Sequence, residues 1–323
     1  MKTEATIKFK NSFEEEVHCG LTSYPKFLSS KYFYDKKGDK LFQEIMKLPE
    51  YYLTNCELSI FERYKTEITK CFTTNVNGFD LIELGAGDGT KTKVLLREML
   101  QNNFDFNFIP IDISYNVLQE LENTLVNELP GIRVIPKQGT YFEVLDKMED
   151  YSTRRKVIMV LGSNIGNLMH KDAIKFLTHL QEVMFEGDLL FMGFDQKKNP
   201  QTILDAYNDK TGVTEAFNKN ILVRINAEMQ GNFDVDKFIH WEVYNPETGT
   251  AKSYLVAKEA QEVNIEALDL KLKFQQWETI HTEISQKYDD QTVKWLAEEA
   301  GLQIIKSFTD EKKYYKNYIF SKK

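Results

Sequence analysis

Between residues 79 and 194, short apolar runs alternate with stretches that are apolar on one side only, and this alternation most constrains the fold. The runs 79–84, 106–111 and 157–161 have the length of strands that are buried on both faces. Residues 91–101 and 115–128 repeat apolar side chains at helical spacing. Strands that alternate with helices in this way predict an α/β fold around a parallel, doubly wound sheet.

The pattern changes after Asp195. Residues 199–230 are predicted to be helical, and 238–285 to form antiparallel strands, with hairpin turn chemistry in "VYNPETGTAKSYLV". A helix and two strands then follow, and these strands can return to the first sheet. We therefore predict two domains. One comprises 62–197 plus 287–323, and the other, an inserted α+β substrate-binding domain, comprises 1–61 plus 198–286.

Composition excludes several classes of protein. The 323 residues carry 49 acidic and 41 basic side chains, a net charge of −8, which disfavours a general nucleic-acid binder. No apolar run has the length of a membrane-spanning helix, and the first residues have no signal-peptide core. The three cysteines lack metal-ligand spacing. We expect a cytoplasmic monomer that acts on a small molecule, without metal, nucleic-acid or membrane partners.

The segment "LIELGAGDGTKTKVLL" joins the first strand to the helix that follows it. Its glycines, Gly85, Gly87 and Gly89, permit a tight turn and a close approach of backbone N–H groups to a ligand. The third glycine comes one residue earlier than in the dinucleotide fingerprint G-x-G-x-x-G. The string that begins at Glu83 is instead similar to motif I of class I methyltransferases, whose cofactor is S-adenosylmethionine.

Two charged residues near this turn agree with that cofactor. Asp112 ends the second strand, where a carboxylate can accept hydrogen bonds from both ribose hydroxyls. Lys91 begins the helix, where a cation opposes the helix dipole. Its position therefore indicates an anionic partner, such as the carboxylate of the cofactor's methionine end.

Four segments carry a more specific resemblance. They are "KYFYDKKGDKLFQEIMKLPEYYLTNCE" at 31–57, "LGSNIGNL" at 161–168, "YNDKTGVTEAFNKNILVRIN" at 207–226 and "HTEISQKY" at 281–288. In order and spacing they resemble the histidine-specific N-alpha-methyltransferases of ergothioneine biosynthesis, from about residue 31 to the end. The resemblance implies a Rossmann-like class I methyltransferase with an inserted second domain. It also implies transfer of three methyl groups from S-adenosylmethionine to the alpha-amine of L-histidine, giving N,N,N-trimethylhistidine (hercynine).

The resemblance also assigns site residues. Cofactor contacts fall on Gly85, Gly87, Lys91, Asp112, Thr140, Tyr141 and Gly162. Substrate contacts fall on Tyr51, Asn167, Tyr207, Ser253, Glu283 and Ser285, with Tyr34 as the catalytic residue beside the amine. The family usually has Asp-Phe where this chain has Thr140 and Tyr141, so the contact with the adenine amino group stays open.

These residue types suit free histidine. Asn167 and Tyr207 can donate hydrogen bonds to the substrate carboxylate. Glu283 and Ser285 lie two apart on a predicted strand and therefore share one face, where they can serve the two ring nitrogens. Tyr51 and Phe42 can supply aromatic walls for the sulfonium and the growing ammonium.

Ser253 is a second departure, since the family often has methionine beside the imidazole. A smaller, polar residue enlarges or hydrates that end of the pocket, and fungal relatives methylate a prenylated tryptophan. One alternative is therefore an N-methyltransferase for another amino acid or an aromatic amine, such as a tryptophan-like substrate. A non-catalytic scaffold that kept the fold is a second alternative, disfavoured because all the substrate-site residues are present.

Overall fold

The computed structural model describes residues 8–74, 78–148 and 154–323. The helices are α1 (Ser12–Thr22), α2 (Lys36–Ile45), α3 (Tyr52–Thr73), α4 (Thr92–Gln101), α5 (Tyr115–Glu128), α6 (Tyr141–Met148), α7 (His170–Val183), α8 (Pro200–Tyr207), α9 (Val213–Met229) and α10 (Asp290–Glu299). The strands are β1 (Lys26–Phe27), β2 (Phe79–Leu84), β3 (Phe106–Asp112), β4 (Lys137–Gln138), β5 (Arg155–Val160), β6 (Leu189–Asp195), β7 (Phe238–Asn245), β8 (Thr250–Ala257), β9 (Gln261–Ile265), β10 (Leu270–Phe274), β11 (Thr279–Gln286), β12 (Leu302–Thr309) and β13 (Tyr315–Lys322). None of the described helices is both long and apolar enough to cross a membrane.

The chain folds into two compact units. Unit 1 comprises Met1–Tyr52 and Lys198–Ser285, and unit 2 comprises Leu53–Lys197 and Gln286–Lys323. The predicted division between residues 61 and 62 lies inside α3, a continuous helix, whereas the units divide at its first residue.

Unit 2 is built on a seven-stranded sheet with the order β12-β13-β6-β5-β2-β3-β4. The five strands from β6 to β4 pair in parallel, and β13 pairs antiparallel with both β6 and β12. Every residue of β2 and β6 is buried, as expected for strands that have helices on both faces. The α/β fold class is thereby confirmed, including the return of the last two strands to the first sheet.

One predicted strand of this sheet is wrong. Residues 132–135 make only an isolated bridge, between Val134 and Phe108, and the named strand β4 lies further on. Pro136 separates the two pairings, and a residue without an N–H group cannot donate to a ladder. The apolar run at 132–135 therefore lies along β3 without forming a regular strand.

Unit 1 is organised around α9, which has buried side chains on most of its circumference, among them Phe217, Ile221 and Ile225. A four-stranded sheet with the order β1-β11-β8-β7 and the pair β9-β10 complete the unit. The predicted helical region 199–230 is two helices rather than one. Asp209 interrupts it, because its carboxylate accepts from the backbone N–H groups of Val213 at 3.1 Å and Thr214 at 2.8 Å at the start of α9.

The predicted hairpin is confirmed as β7 and β8, which pair antiparallel and place Glu242 opposite Ser253. Strand β11 is the next neighbour of β8 in the same sheet. Residues on one face of these three strands thus come together although they are distant in sequence.

Candidate active site

The carboxyl ends of β2 and β5 form the edge of unit 2 at which the topology indicates ligand binding. The chain order reverses between these neighbouring strands, since β3 follows on the far side of β2 and β6 on the far side of β5. In open α/β sheets, ligands bind at such a switch point, outside the carboxyl ends of the strands. The glycine corner, residues 85–91, and the loop that begins at Gly162 both lie at this edge.

All three glycines of the glycine corner adopt left-handed backbone conformations, with φ of +73° at Gly85, +54° at Gly87 and +65° at Gly89. A Cβ at Gly85 would lie 2.6 Å from the hydroxyl of Tyr141. At Gly87 an added Cβ would meet no atom of the described residues within 4 Å. The middle glycine therefore faces open space, which suits the close approach of a ligand to backbone.

Glu83, at the end of β2, is buried and accepts a hydrogen bond from the Thr92 hydroxyl at 2.8 Å. Its other carboxyl oxygen has no hydrogen-bond partner among the described residues. Burial raises the pKa of the Glu83 carboxyl to about 8, although Thr92 and Lys91 oppose this. The group is therefore largely protonated at neutral pH, and its contact with Thr92 ties the strand to the start of α4.

Asp112 ends β3, as predicted, and is partly exposed. Its Oδ1 accepts from the backbone N–H of Ser114 at 2.9 Å, which fixes the carboxyl group at the strand end. Burial raises its pKa above the ordinary value, opposed by hydrogen bonds from backbone N–H groups that include that of Gly87. The carboxyl group thus lies next to the glycine corner, where a ribose diol can be held.

The anionic partner of Lys91 within the chain is Glu57, a residue that no sequence pattern indicated. The Lys91 Nζ lies 2.5 Å from Oε2 of Glu57, and the backbone N–H of Gly162 donates to the same oxygen at 2.9 Å. Oε1 of Glu57 accepts from the amide of Asn317 at 2.8 Å. Glu57 is fully buried, so one carboxylate joins the glycine corner, the loop after β5 and β13.

Thr140 directly precedes α6, and Tyr141 is the first residue of that helix. The two side chains have different partners. The hydroxyl of Thr140 donates to Oε2 of Glu143 at 2.7 Å, and its backbone N–H contacts the same oxygen at 3.2 Å, so this departure from the family pattern serves as a local helix cap. Burial, and to a smaller extent the nearby Asp112 and Glu83, raise the pKa of the Tyr141 phenol to about 12. Tyr141 therefore stays protonated beside the glycine corner.

These residues of unit 2 fit S-adenosylmethionine. The open space at Gly87 can admit an adenosyl group, and the Asp112 carboxyl can accept from ribose hydroxyls. Lys91 remains partly exposed and retains donors beyond its bond to Glu57, so it can also meet a ligand carboxylate.

In unit 1, the predicted aromatic residues form a connected group. Tyr34 lies 5.5 Å from Phe42, Phe42 lies 6.2 Å from Tyr51, and Tyr51 lies 6.5 Å from Tyr207, each measured between ring centroids. All three pairs meet edge to face. The rings thus offer the aromatic wall that the sequence analysis predicted for a cationic centre.

The predicted ring-binding residues also come together in unit 1. The hydroxyls of Tyr207 and Ser285 lie 2.6 Å apart. The Ser253 hydroxyl lies 3.4 Å from Oε2 of Glu283, across neighbouring strands. We call Ser253, Glu283 and Ser285 the ring end of the site. The Ser253 hydroxyl donates its hydrogen bond to Oε2 of Glu242, at 2.6 Å. Glu242 was not among the predicted site residues.

Tyr34 follows a short 3-10 turn, Ser30–Phe33, and is 42% exposed. Desolvation of its phenol and then the charge of Glu283 raise its pKa well above the ordinary value. The phenol stays protonated at neutral pH.

Asn167 belongs to unit 2, where it ends the 3-10 turn Asn164–Asn167 after β5. The helix that follows, α7, has Met169 at its N-cap and no side-chain cap. Asn167 therefore does not cap α7, and it is exposed to solvent.

No sequence pattern indicated either missed carboxylate. In β7 the apolar residues Trp241 and Val243 are exposed whereas Glu242 is buried, so apolar alternation along the strand would place Glu242 on the outer face. The burial of Glu57 depends on contacts with residues 91, 162 and 317 that are distant in sequence.

Comparison with known proteins places this geometry in a family. Residues 13–322 match the model of a family described as histidine-specific methyltransferase, SAM-dependent. The histidine N-alpha-methyltransferase of Mycolicibacterium smegmatis is 36% identical over 93% of this chain and 91% of that protein. Ergothioneine biosynthesis protein 1 of Schizosaccharomyces pombe is 30% identical over 91% of this chain but only 39% of that longer protein.

A relative with a different named substrate is also similar. The L-tryptophan methyltransferase of Psilocybe serbica is 29% identical over 89% of this chain and 86% of that protein. The matched span, together with the sheet order and the glycine corner, confirms the predicted fold, enzyme class and cofactor. The chain belongs to the histidine-specific, S-adenosylmethionine-dependent methyltransferases.

Proposed function

We propose that this protein transfers methyl groups from S-adenosylmethionine to the alpha-amine of L-histidine and gives N,N,N-trimethylhistidine, a step of ergothioneine biosynthesis. The observation that carries the proposal is the ring end, where Glu283 and Ser285 share one strand and Ser285 meets Tyr207 at 2.6 Å. An imidazole is the amino-acid ring that offers two nitrogens to such a pair of polar groups.

The contact between Tyr207 and Ser285 decides how both ends of histidine are held. Each hydroxyl has one proton, and either oxygen can be the donor in their hydrogen bond. If Ser285 donates to Tyr207, the Tyr207 hydroxyl can donate to the substrate carboxylate, and the Ser285 oxygen accepts from a ring N–H. We propose this arrangement.

Tyr34 orients the amine in this proposal. Its phenol stays protonated because desolvation and Glu283 raise its pKa. A neutral phenol oxygen accepts a hydrogen bond from the amine and leaves the amine lone pair free to attack. Tyr34 is therefore an orienting group rather than a base, and the amine proton leaves to solvent.

Bound S-adenosylmethionine supplies an electrophilic methyl group on a positively charged sulfur. Asp112, Lys91 and the backbone of Gly87 would hold it, and the aromatic wall of Tyr51 and Phe42 favours the ammonium that forms. Alignment of amine and methyl group is the main contribution of the protein, because the leaving group is neutral and needs no acid.

The test is mass spectrometry of the products that the purified protein forms from S-adenosylmethionine and each of the twenty amino acids. We expect histidine alone to be converted efficiently, through mono- and dimethyl forms to the trimethyl product. Efficient methylation of a different amino acid, without histidine, would contradict the proposal.

One observation favours a second candidate, the methylation of a tryptophan-like amine. Ser253 is small and fully buried where the family often has methionine, and a relative is named for tryptophan. The polar contacts of Ser253 with Glu242 and Glu283, together with Ser285, argue for a ring with two polar nitrogens, which favours imidazole over an indole with its single N–H. The same amino-acid panel separates the two substrates.

We also propose that the protein acts as a monomer in a reducing cytoplasm. Its three cysteines, Cys19, Cys56 and Cys71, are thiols that form no disulfide. Light scattering at micromolar concentration should give the mass of a single chain, and a dimer would overturn the assignment.

A further inference from the structure

A row of polar side chains crosses three neighbouring strands of unit 1. Glu242 on β7 stands opposite Ser253 on β8, and Glu283 lies on β11, the other neighbour of β8. The Ser253 hydroxyl reaches both carboxylates, at 2.6 Å to Glu242 and 3.4 Å to Glu283. The row therefore extends the ring end by one residue that the family resemblance did not assign.

The two distances show where the serine proton lies. A hydroxyl has one proton, and 2.6 Å is typical of an O–H group that donates to a carboxylate. The longer contact, to Glu283, is at the limit of a hydrogen bond. Glu242 thus accepts the hydrogen bond of the Ser253 hydroxyl and fixes its rotation.

A serine oxygen whose proton is committed presents only lone pairs to a ligand. The part of the ring end formed by Ser253 and Glu283 is then a surface of acceptors. A ring that brings N–H groups can donate to these acceptors, whereas an apolar ring shields them from water and donates nothing in return, which is costly. Glu242 itself is 9% exposed and lines a small cavity with Leu204, Asn208 and Trp241.

We propose that Glu242 is a positioning residue that sets ring specificity through Ser253. By accepting the hydrogen bond of the Ser253 hydroxyl it leaves Ser253 and Glu283 as acceptors only, and so favours rings that carry N–H donors over neutral apolar rings. This inference rests on the proposed function, because the ring end is assigned there as the site of the substrate side chain.

The test compares Glu242→Gln with Glu247→Gln, a charge-matched control in the exposed turn of the same hairpin. Binding of histidine, tryptophan and phenylalanine is measured by calorimetry with S-adenosylhomocysteine present. A glutamine at position 242 can either accept a hydrogen bond from Ser253, through its neutral carbonyl, or donate one to it, through its NH2 group. The orientation of the Ser253 hydroxyl is then no longer fixed. We expect the Kd of histidine to rise about three- to tenfold in Glu242→Gln, while those of tryptophan and phenylalanine stay or fall.

The ratio of histidine to phenylalanine affinity is the deciding readout, since a structural defect alone would weaken all three ligands together. An unchanged ratio in Glu242→Gln, relative to the control, overturns the inference. If melting temperature shows that this variant is unfolded, Ser253→Ala takes its place, and there the ratio must also fall by about threefold or more.

This outcome differs from failure of the proposed function. That proposal fails if the wild-type protein methylates another amino acid and not histidine. The inference about Glu242 fails if the affinity ratio is insensitive to the substitution, whichever amino acid is the substrate.

Discussion

In unit 2 the glycine corner is shaped by backbone, whereas in unit 1 the ring end is shaped by side chains from two neighbouring strands. At the corner, the positive φ angles of Gly85, Gly87 and Gly89 fix the turn, and an added side chain would be strained there. At the ring end, Ser253 and Glu283 lie on regular strands, so the backbone is not strained there and the polar groups of the side chains determine which ring can bind. Substitutions should therefore change cofactor affinity and stability at the corner, and substrate choice at the ring end.

The largest effect on stability is expected for Glu57→Ala. Its carboxylate is fully buried and holds Lys91, Gly162 and Asn317, so its removal leaves three donors without their acceptor. Breaking a buried pair costs about 3–5 kcal/mol, and the lower figure applies because Lys91 is partly exposed. Urea unfolding measures the loss, with Glu57→Gln as the control that keeps an acceptor. A stable Glu57→Ala protein would show that the corner needs no such support.

Asp112→Ala should weaken the binding of S-adenosylmethionine by about a hundredfold or more, because two hydrogen bonds to ribose are lost, each worth about 1.5–3 kcal/mol at most. The fold should survive, since the carboxyl group is partly exposed at a strand end. Calorimetry with S-adenosylhomocysteine provides the measurement. Wild-type affinity in the folded variant would remove Asp112 from the cofactor site.

Glu283→Ala should lower kcat/KM for histidine by about ten- to a hundredfold, since a hydrogen bond between a carboxylate and a ring N–H is lost. Cofactor affinity should hardly change, in contrast to Asp112→Ala. Some activity on tryptophan should appear, because a neutral wall no longer disfavours an apolar ring. Steady-state kinetics on both amino acids give the answer, and equal histidine kinetics in variant and wild type would refute the role of Glu283.

The smallest effect is expected for Ser253→Met. Histidine kcat/KM should fall only about threefold, because the serine oxygen is lost while Glu283 remains. Any activity on larger rings should fall further, since methionine fills the space beside the ring. Parallel assays on histidine and tryptophan measure both. Higher tryptophan activity in this variant would mean that Ser253 does not face the ring.

The difference between the two regions also explains which features the sequence could predict. Continuous apolar runs such as 79–84 predict buried strands, and a glycine at each alternate position predicts a turn with positive φ, because both depend on local chemistry. The break between α8 and α9 was not predicted, since the Asp209 carboxylate caps α9 through hydrogen bonds with residues several positions on. Residues 132–135 were wrongly predicted to be a strand because they are apolar. At a sheet edge, such a run is a regular strand only where its backbone hydrogen-bonds along its length to the neighbouring strand.

The site residues follow the same division. Gly85, Gly87 and Asp112 stand at strand ends, where position alone indicates a ligand contact. The partnership of Lys91 with Glu57, and that of Ser253 with Glu242, depend on which distant segments meet in the folded chain. Such pairings are set by tertiary structure, so a pattern read along one sequence indicates the residues but not their partners.

The most direct test of the central claim is a crystal structure of the protein with S-adenosylhomocysteine and trimethylhistidine. We predict one imidazole nitrogen within about 3 Å of the Glu283 carboxylate and the other within the same distance of the Ser285 hydroxyl. An imidazole that binds away from both residues, with Glu283 in contact only with protein groups, would contradict the assignment of histidine as the substrate.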